Sequence, residues 1–182
     1  MPIVVIDPGH GGSDPGAVAN GLQEKTLTLE IARLVRDKLE SRYIVDARLT
    51  RDADVYVGLS ARADYANQLG ASYFVSLHHN AGGGTGFESF VYPGTRNTET
   101  GRRQDVLHNR VADFFESYGF PDRGKKEANF TVVRETAMPA VLLENLFLDT
   151  QADADALKDQ SFLNALADAV TTGIADALSL SS

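Results

Sequence analysis

The sequence contains no cysteine and carries little positive charge, and both absences narrow what the protein can do. Without cysteine there is no disulfide framework, no thiolate metal site and no thiol nucleophile. The formal net charge of -8 at pH 7 argues against nonspecific binding to nucleic acid or anionic lipid, because both require a positively charged surface. No apolar run approaches the roughly 20 residues needed to span a bilayer. We therefore expect a globular protein whose partner is neither nucleic acid nor a membrane.

The composition is that of an ordinary globular domain. Of the 182 residues, 43% are hydrophobic and 23% are charged, which is enough to build one sizeable core. The sequence shows no internal repeat and no long linker. We therefore expect a single domain that spans residues 1–182.

Apolar runs typical of buried strands alternate with helical patterns along the chain. The runs predict strands at 3–7, 43–50, 72–77, 86–92, 131–134 and 140–144. Apolar positions at helical spacing predict helices at 24–42, 59–69, 102–118 and 161–178, with Gly70 closing the second. This alternation predicts an α/β fold in which helices flank both faces of a mainly parallel, mixed and twisted sheet.

Four chemically useful side chains lie at strand ends or at a helix start. His10 follows the first predicted strand, His78 follows the third, Glu144 ends the last, and Glu24 opens the first helix. Ligands of such sheets bind beyond the carboxyl ends of the strands, so His10, His78 and Glu144 should meet at one edge, and the loop after His10 can fold Glu24 back to it. Two imidazoles and a carboxylate are what zinc prefers when one position stays open for water, and a second carboxylate can then act as base. The set predicts a hydrolase with one zinc ion.

Each of these residues also has a plainer interpretation when taken alone. His10 in DPGHGG could simply occupy a tight glycine turn or an anion-binding loop, although the spacing matches neither common phosphate fingerprint. Glu24 could be an ordinary first-turn acid. His78 and His79 point to opposite sides of a strand, so only one can face the site. A purely structural interpretation suits Glu144 less well, because burying an ionised carboxylate after an apolar run costs free energy unless the group is paired or coordinated.

Other polar residues are expected to serve the structure. Asp7, at the end of the first strand, is expected to brace a loop or to orient a ligand imidazole. Arg51 and Arg62 are expected to tie loops to the sheet. His108 lies in a helical run and is expected on a solvated face. Glu88 is expected on a solvated face by default, with the groove as the alternative.

The whole chain resembles the zinc-dependent N-acetylmuramoyl-L-alanine amidases of the Amidase_3 type, which include autolysins and phage endolysin catalytic domains. The matching stretches are VVIDPGHGGSDPGAV, QEKTLTLEIA, LTRDADVYVGLSARADYAN, GASYFVSLHHNA, GFESFVY and RETAMPAVLLEN. The resemblance implies zinc bound by His10, Glu24 and His78, with Glu144 as the catalytic carboxylate. It also implies hydrolysis of the amide that joins N-acetylmuramic acid to L-alanine in peptidoglycan.

Two positions depart from the family pattern. His79 stands where a small residue is usual, and it is expected either to contact substrate or to fill space. The family usually has a turn of small residues, including glycine, after the catalytic carboxylate. Here Asn145-Leu146-Phe147 stands in its place, and this change bears on the direction of the Glu144 carboxylate. Some relatives insert an inhibitory helix, and no spare helix is recognisable here, so an uninhibited enzyme is expected.

The resemblance places the activity at the bacterial cell wall. No signal-peptide pattern is recognisable at the N-terminus, which favours export like that of a phage lysin or a domain excised from a longer protein. The acidic charge disfavours affinity for an anionic wall, so a monomer that relies on a separate wall-binding module is expected. Two alternatives stay open: a zinc peptidase that cuts within the stem peptide, and a non-catalytic wall-binding module with a structural metal.

Overall fold

A six-stranded sheet forms the centre of the molecule in the computed structural model, which describes residues 1–182. Its strands are β1 (Ile3–Pro8), β4 (Asp46–Leu49), β5 (Tyr73–Asn80), β6 (Phe87–Val91), β7 (Asp122–Glu127) and β8 (Ala140–Phe147). They lie in the order β4-β1-β5-β8-β6-β7. A separate hairpin pairs β2 (Val18–Ala19) with β3 (Leu22–Gln23).

Most neighbouring strands of the sheet run parallel. β1 pairs in parallel with β4 and β5, β5 with β8, and β6 with β7, whereas β6 and β8 are antiparallel. The carboxyl ends of β1, β5 and β8 therefore lie side by side at one edge. This mixed, mainly parallel sheet confirms the predicted fold class.

Helices cover both faces of the sheet, as predicted. The six helices are α1 (Glu24–Arg42), α2 (Leu59–Leu69), α3 (Glu99–Ser117), α4 (Thr131–Arg134), α5 (Gln151–Leu157) and α6 (Gln160–Leu178). The larger core of 30 buried residues joins α1, α3 and α6 to one face, and a cluster of 8 joins α2 and α4 to the other. Alternation along β1 shows the division, because Val4 and Ile6 belong to the larger core and Val5 to the smaller. No helix combines the length and apolar character that crossing a membrane requires.

Helices α1 and α2 have the bounds that the sequence predicts. Leu27, Ile31, Val35 and Leu39 recur at helical spacing and are buried along α1. Gly70 ends α2 in the left-handed conformation, with φ of 63°, and its N–H donates to the last turn. A residue with a side chain would be strained there, so the predicted helix stop is confirmed.

Other predicted bounds need correction. The predicted strand at 131–134 is wrong, because the segment forms α4. Its β-branched residues favour a strand locally, but Val132 and Val133 are both buried against α2 and the sheet when the segment makes one helical turn. The predicted strand at 43–50 is shorter in the structure and is confined to β4. Helix α3 begins at Glu99 rather than at residue 102. Thr98 caps this helix, because its side chain accepts a hydrogen bond from the Thr100 N–H.

Strands β5 and β8 both extend beyond their predicted ends, so that His78 and Glu144 lie inside strands instead of at their termini. The two residues are register partners on adjacent strands. Their side chains therefore emerge from the same face of the sheet, next to each other.

Candidate metal centre

The glycine-rich loop after β1 brings His10 to the carboxyl edge of the sheet. His10 adopts a left-handed conformation with φ of 67°, which is uncommon for a residue with a side chain. Gly9 must be glycine, because a Cβ at this position would lie 2.4 Å from Cε1 of His78. The loop backbone thus passes directly against the second histidine, and the two imidazole rings meet edge to face with centroids 5.0 Å apart.

Glu24, the first residue of α1, supplies a carboxylate between the two histidines. Its side chain is almost completely buried, and the positive end of the helix dipole favours a negative charge there. Oε1 accepts a hydrogen bond from the Ala17 N–H at 3.0 Å, and Oε2 accepts from the His79 N–H at 2.9 Å. Backbone donors from two different segments therefore fix the position of this carboxylate.

The three side chains converge on a common point. Nε2 of His10 lies 3.1 Å from Oε2 of Glu24, and Nδ1 of His78 lies 3.3 Å from the same oxygen. All three potential ligand atoms lie within 4.8 Å of one another. Donors on a tetrahedral zinc ion are about 3.3 Å apart, given bonds of 2.0–2.1 Å. His10, Glu24 and His78 therefore could hold a metal ion, and their donor types and spacing fit zinc.

The charge state of the cluster also favours a cation. Although burial alone would lower it, hydrogen bonds with Glu24 and Asp14 raise the pKa of His10 to about 9. Burial likewise opposes ionisation of Glu24, but hydrogen bonds from His10 and His78 hold its pKa well below the usual range. The site thus attracts positive charge where a metal would lie, and a metal would replace the proton on His10.

Asp14 orients the His10 ring, a role that the sequence analysis missed. Its Oδ2 lies 2.9 Å from Nδ1 of His10, and its Oδ1 accepts from the Gly16 N–H at 3.0 Å. Since a carboxylate only accepts, Nδ1 donates its proton to Asp14, and this bond turns Nε2 towards Glu24, where a metal would replace the second ring proton. The available signal was an acid four residues after the histidine in the same glycine-rich loop.

Asp7 was the predicted candidate for orienting an imidazole, and that alternative is wrong, whereas its bracing role is confirmed. Its buried carboxylate accepts from Arg62 at 2.9 Å, from Ser76 at 2.6 Å and from Thr50 at 2.6 Å. Arg62 also donates to the carbonyls of Pro8 and His10.

Arg51 completes the bracing of the metal-site loop. It donates to the carbonyls of Pro8, Gly9 and Lys25, and so ties the loop to the start of α1. The predictions that Arg51 and Arg62 fasten loops to the sheet are therefore confirmed.

Glu144 stands next to the three-residue cluster without being part of it. Its Oε2 is buried and has no hydrogen-bond partner. Burial raises the pKa of this carboxyl group to about 7. A carboxyl group with this proton affinity exchanges protons readily near neutral pH, as a general base or acid must.

A groove of about 480 Å³ runs over these residues. The four predicted site residues all line it, together with apolar side chains that include Leu59 and Phe130. Leu59 is 54% exposed and Phe130 is 37% exposed. Large apolar side chains exposed beside a polar centre are typical of a ligand-binding rim.

Two other titratable residues differ from expectation. His108 is buried, not solvated: it lies between Ser89 Oγ at 2.6 Å and Asp122 Oδ1 at 2.8 Å. Its spacing from Val111 on α3 places it on the buried face. Glu88 is also buried, paired with Arg123 and Lys126, and it is the register partner of Glu144 on β6.

Comparison with known proteins agrees with this architecture. The sequence profile of the N-acetylmuramoyl-L-alanine amidase family Amidase_3 matches residues 4–176. The chain is 51% identical to a sporulation-specific N-acetylmuramoyl-L-alanine amidase of Bacillus subtilis (strain 168), over 97% of this chain and 68% of the relative. It is 48% identical to an endolysin of Bacillus phage SPP1, over 98% of this chain and 66% of the relative.

A solved structure gives the same assignment. The catalytic domain of CwlV, an N-acetylmuramoyl-L-alanine amidase from Bacillus (Paenibacillus) polymyxa var. colistinus, superposes with a TM-score of 0.91 and 35% identity, covering 99% of each chain. The chain therefore belongs to the Amidase_3 family of N-acetylmuramoyl-L-alanine amidases.

Proposed function

We propose that residues 1–182 form a catalytic domain that uses zinc to hydrolyse the amide between N-acetylmuramic acid and L-alanine in peptidoglycan. The observation that carries this proposal is the buried Glu144 carboxyl group, with its raised pKa, beside three convergent metal-type donors. Family membership supplies the substrate class, since the relatives named above are amidases and an endolysin.

In this proposal His10, Glu24 and His78 hold the ion, and Asp14 keeps His10 aimed at it. A bound zinc ion would supply a Lewis acid that polarises the scissile carbonyl and acidifies water. Because backbone donors hold Glu24 and Asp14 holds the ring of His10, the positions of these two side chains are set before the ion arrives.

Glu144 would move the protons. As the attacking water adds to the carbonyl carbon, Glu144 takes one of its protons and then delivers it to the departing alanine nitrogen. Burial raises the pKa of this carboxyl group, and the raised proton affinity favours its accepting the proton before passing it on. The leaving group departs as a neutral amine, and the carboxylate is regenerated.

The apolar rim would bind the parts of the substrate that do not react. Leu59 and Phe130 flank the groove and offer surfaces to a sugar or to a peptide methyl group. The net charge of -8 gives the domain little attraction to an anionic wall. We therefore propose that a separate module supplies wall affinity. We also propose that the domain acts at the bacterial cell wall and as a monomer.

Mass spectrometry of digested peptidoglycan tests the proposal. An amidase releases stem peptides with free alanine amino termini and leaves the glycan strands intact, and chelation of the metal should abolish this release. Cleavage between stem residues would instead support the peptidase alternative. Pelleting with walls but no chelator-sensitive cleavage would support the binding-module alternative.

A further inference from the structure

The backbone directly after Glu144 is irregular. His78 pairs with Glu144 across β5 and β8, but the next pair joins Asn80 to Phe147, so β8 contains one extra residue at this point. Such a bulge changes the direction of the neighbouring side chains. The bulge therefore helps to set where the Glu144 carboxylate points.

The bulge requires an unfavourable conformation. Leu146 has φ of 67°, in the left-handed region that costs a residue with a side chain about 1–2 kcal/mol. Such a conformation persists only where the surroundings hold it. One restraint is the burial of the Leu146 side chain in the larger core.

The second restraint comes from His79. Its imidazole Nδ1 donates a hydrogen bond to the carbonyl of Asn145, the residue between Glu144 and Leu146. Because a carbonyl only accepts, the ring proton must be on Nδ1. Nε2 has no partner, so this bond is the only hydrogen bond that the ring makes.

His79 directly follows the proposed ligand His78, and its backbone N–H donates to Glu24. It alternates with His78 along β5, so its ring points away from the face that carries His78 and Glu144. One hydrogen bond thus joins His79 on β5 to the 145–147 segment that follows Glu144 on β8.

From this geometry, and resting on the proposed role of Glu144, we propose that His79 is a positioning residue. By holding the Asn145 carbonyl it fixes the bulge after Glu144, and so aims the carboxylate at the scissile bond. Displacement of a reacting group by about 1 Å can cost on the order of 100-fold in rate. Loss of the His79 ring should therefore lower kcat while leaving metal content and KM close to their original values.

Three variants of His79 test the proposal. In His79→Asn the amide nitrogen occupies nearly the position of Nδ1, so the bond to Asn145 can form again. In His79→Gln the amide nitrogen reaches towards the position of Nε2, so it cannot replace Nδ1 in the bond to Asn145. We expect kcat to fall about 10- to 100-fold in His79→Ala and His79→Gln, with substantial recovery in His79→Asn. The Asn and Gln variants suffice if His79→Ala does not fold.

His108→Ala is the matched control, because His108 is another buried, hydrogen-bonded histidine, in α3, whose hydrogen-bond partners are Ser89 and Asp122 and not a residue of the segment after Glu144. It should lose stability without losing kcat. The proposal is overturned if His79→Ala keeps the original kcat, if His79→Gln recovers as well as His79→Asn, if His108→Ala loses as much kcat, or if the His79 variants lose their metal.

The same comparison is independent of which bond the enzyme cuts. If peptidoglycan digestion revealed cleavage within the stem peptide, the proposed function would be wrong, but kcat for that cleavage would still report on the aim of Glu144.

Discussion

Glutamine in place of Glu144 should make the metal-free protein more stable at alkaline pH. In the unfolded chain this carboxyl group ionises near pH 4.5, whereas burial raises the pKa in the folded protein to about 7. Glu144 therefore leaves the free energy of unfolding unaffected below about pH 4.5. It lowers that free energy as the pH rises from there to about 7, and the loss persists at higher pH. The interval between the two pKa values corresponds to on the order of 3 kcal/mol.

Glutamine has nearly the same shape but no charge to bury. The stability gain of Glu144→Gln over the original protein should therefore be larger at pH 8.5 than at pH 4 by on the order of 3 kcal/mol. Urea unfolding of both proteins at the two pH values, with chelator present, measures this difference. A gain that does not change with pH would refute the reasoning, because it would show that Glu144 carries no charge penalty.

The same substitution should remove the catalytic proton carrier. Metal-loaded Glu144→Gln should turn over about 10²- to 10⁴-fold more slowly, the usual contribution of a general base. The rate at which stem peptides with free alanine amino termini are released from purified peptidoglycan measures turnover. A stable, metal-loaded variant with the original turnover would exclude Glu144 from the reaction.

Three further substitutions probe the surroundings of the site. Asp14→Ala frees the His10 ring and should weaken metal binding about 10- to 100-fold, measured by competition with a chromogenic chelator; unchanged affinity would contradict the orienting role. Arg62→Leu leaves the buried Asp7 carboxylate without its cation and should cost about 3–5 kcal/mol in urea unfolding; a loss below 1 kcal/mol would contradict the bracing role. Phe130→Ala removes exposed apolar surface from the rim and should raise KM about 3- to 10-fold with little change in kcat; an unchanged KM would show that the rim does not touch substrate.

The sequence was sufficient to predict the sheet edge at which the site lies. Continuous apolar runs marked β1, β5 and β8, and parallel strands must bring their carboxyl ends to one edge. For that reason His10, His78 and Glu144 could be expected together although they are far apart in the chain. The start of α1 could also be predicted, because Glu24 is the first residue of an uninterrupted helical pattern.

Features that depend on tertiary packing were not predictable from local pattern. Two adjacent valines in α4 favour a strand by propensity, yet the helix buries both. His108 was expected on a solvated face because histidine is polar, although its spacing from Val111 places it on the face of α3 that packs on β6. The stretch at 145–147 stood out in the sequence, but the bulge at Leu146 was not predictable, because leucine is disfavoured in that conformation and is held there by its neighbours.

Metal analysis of four purified proteins tests the central claim most directly. The original chain and Glu144→Gln should each bind one equivalent of zinc, whereas His10→Ala and His78→Ala should each bind much less than one equivalent, while remaining folded by circular dichroism. Full zinc occupancy in folded His10→Ala and His78→Ala would contradict the account, because the ion would then be held by other residues.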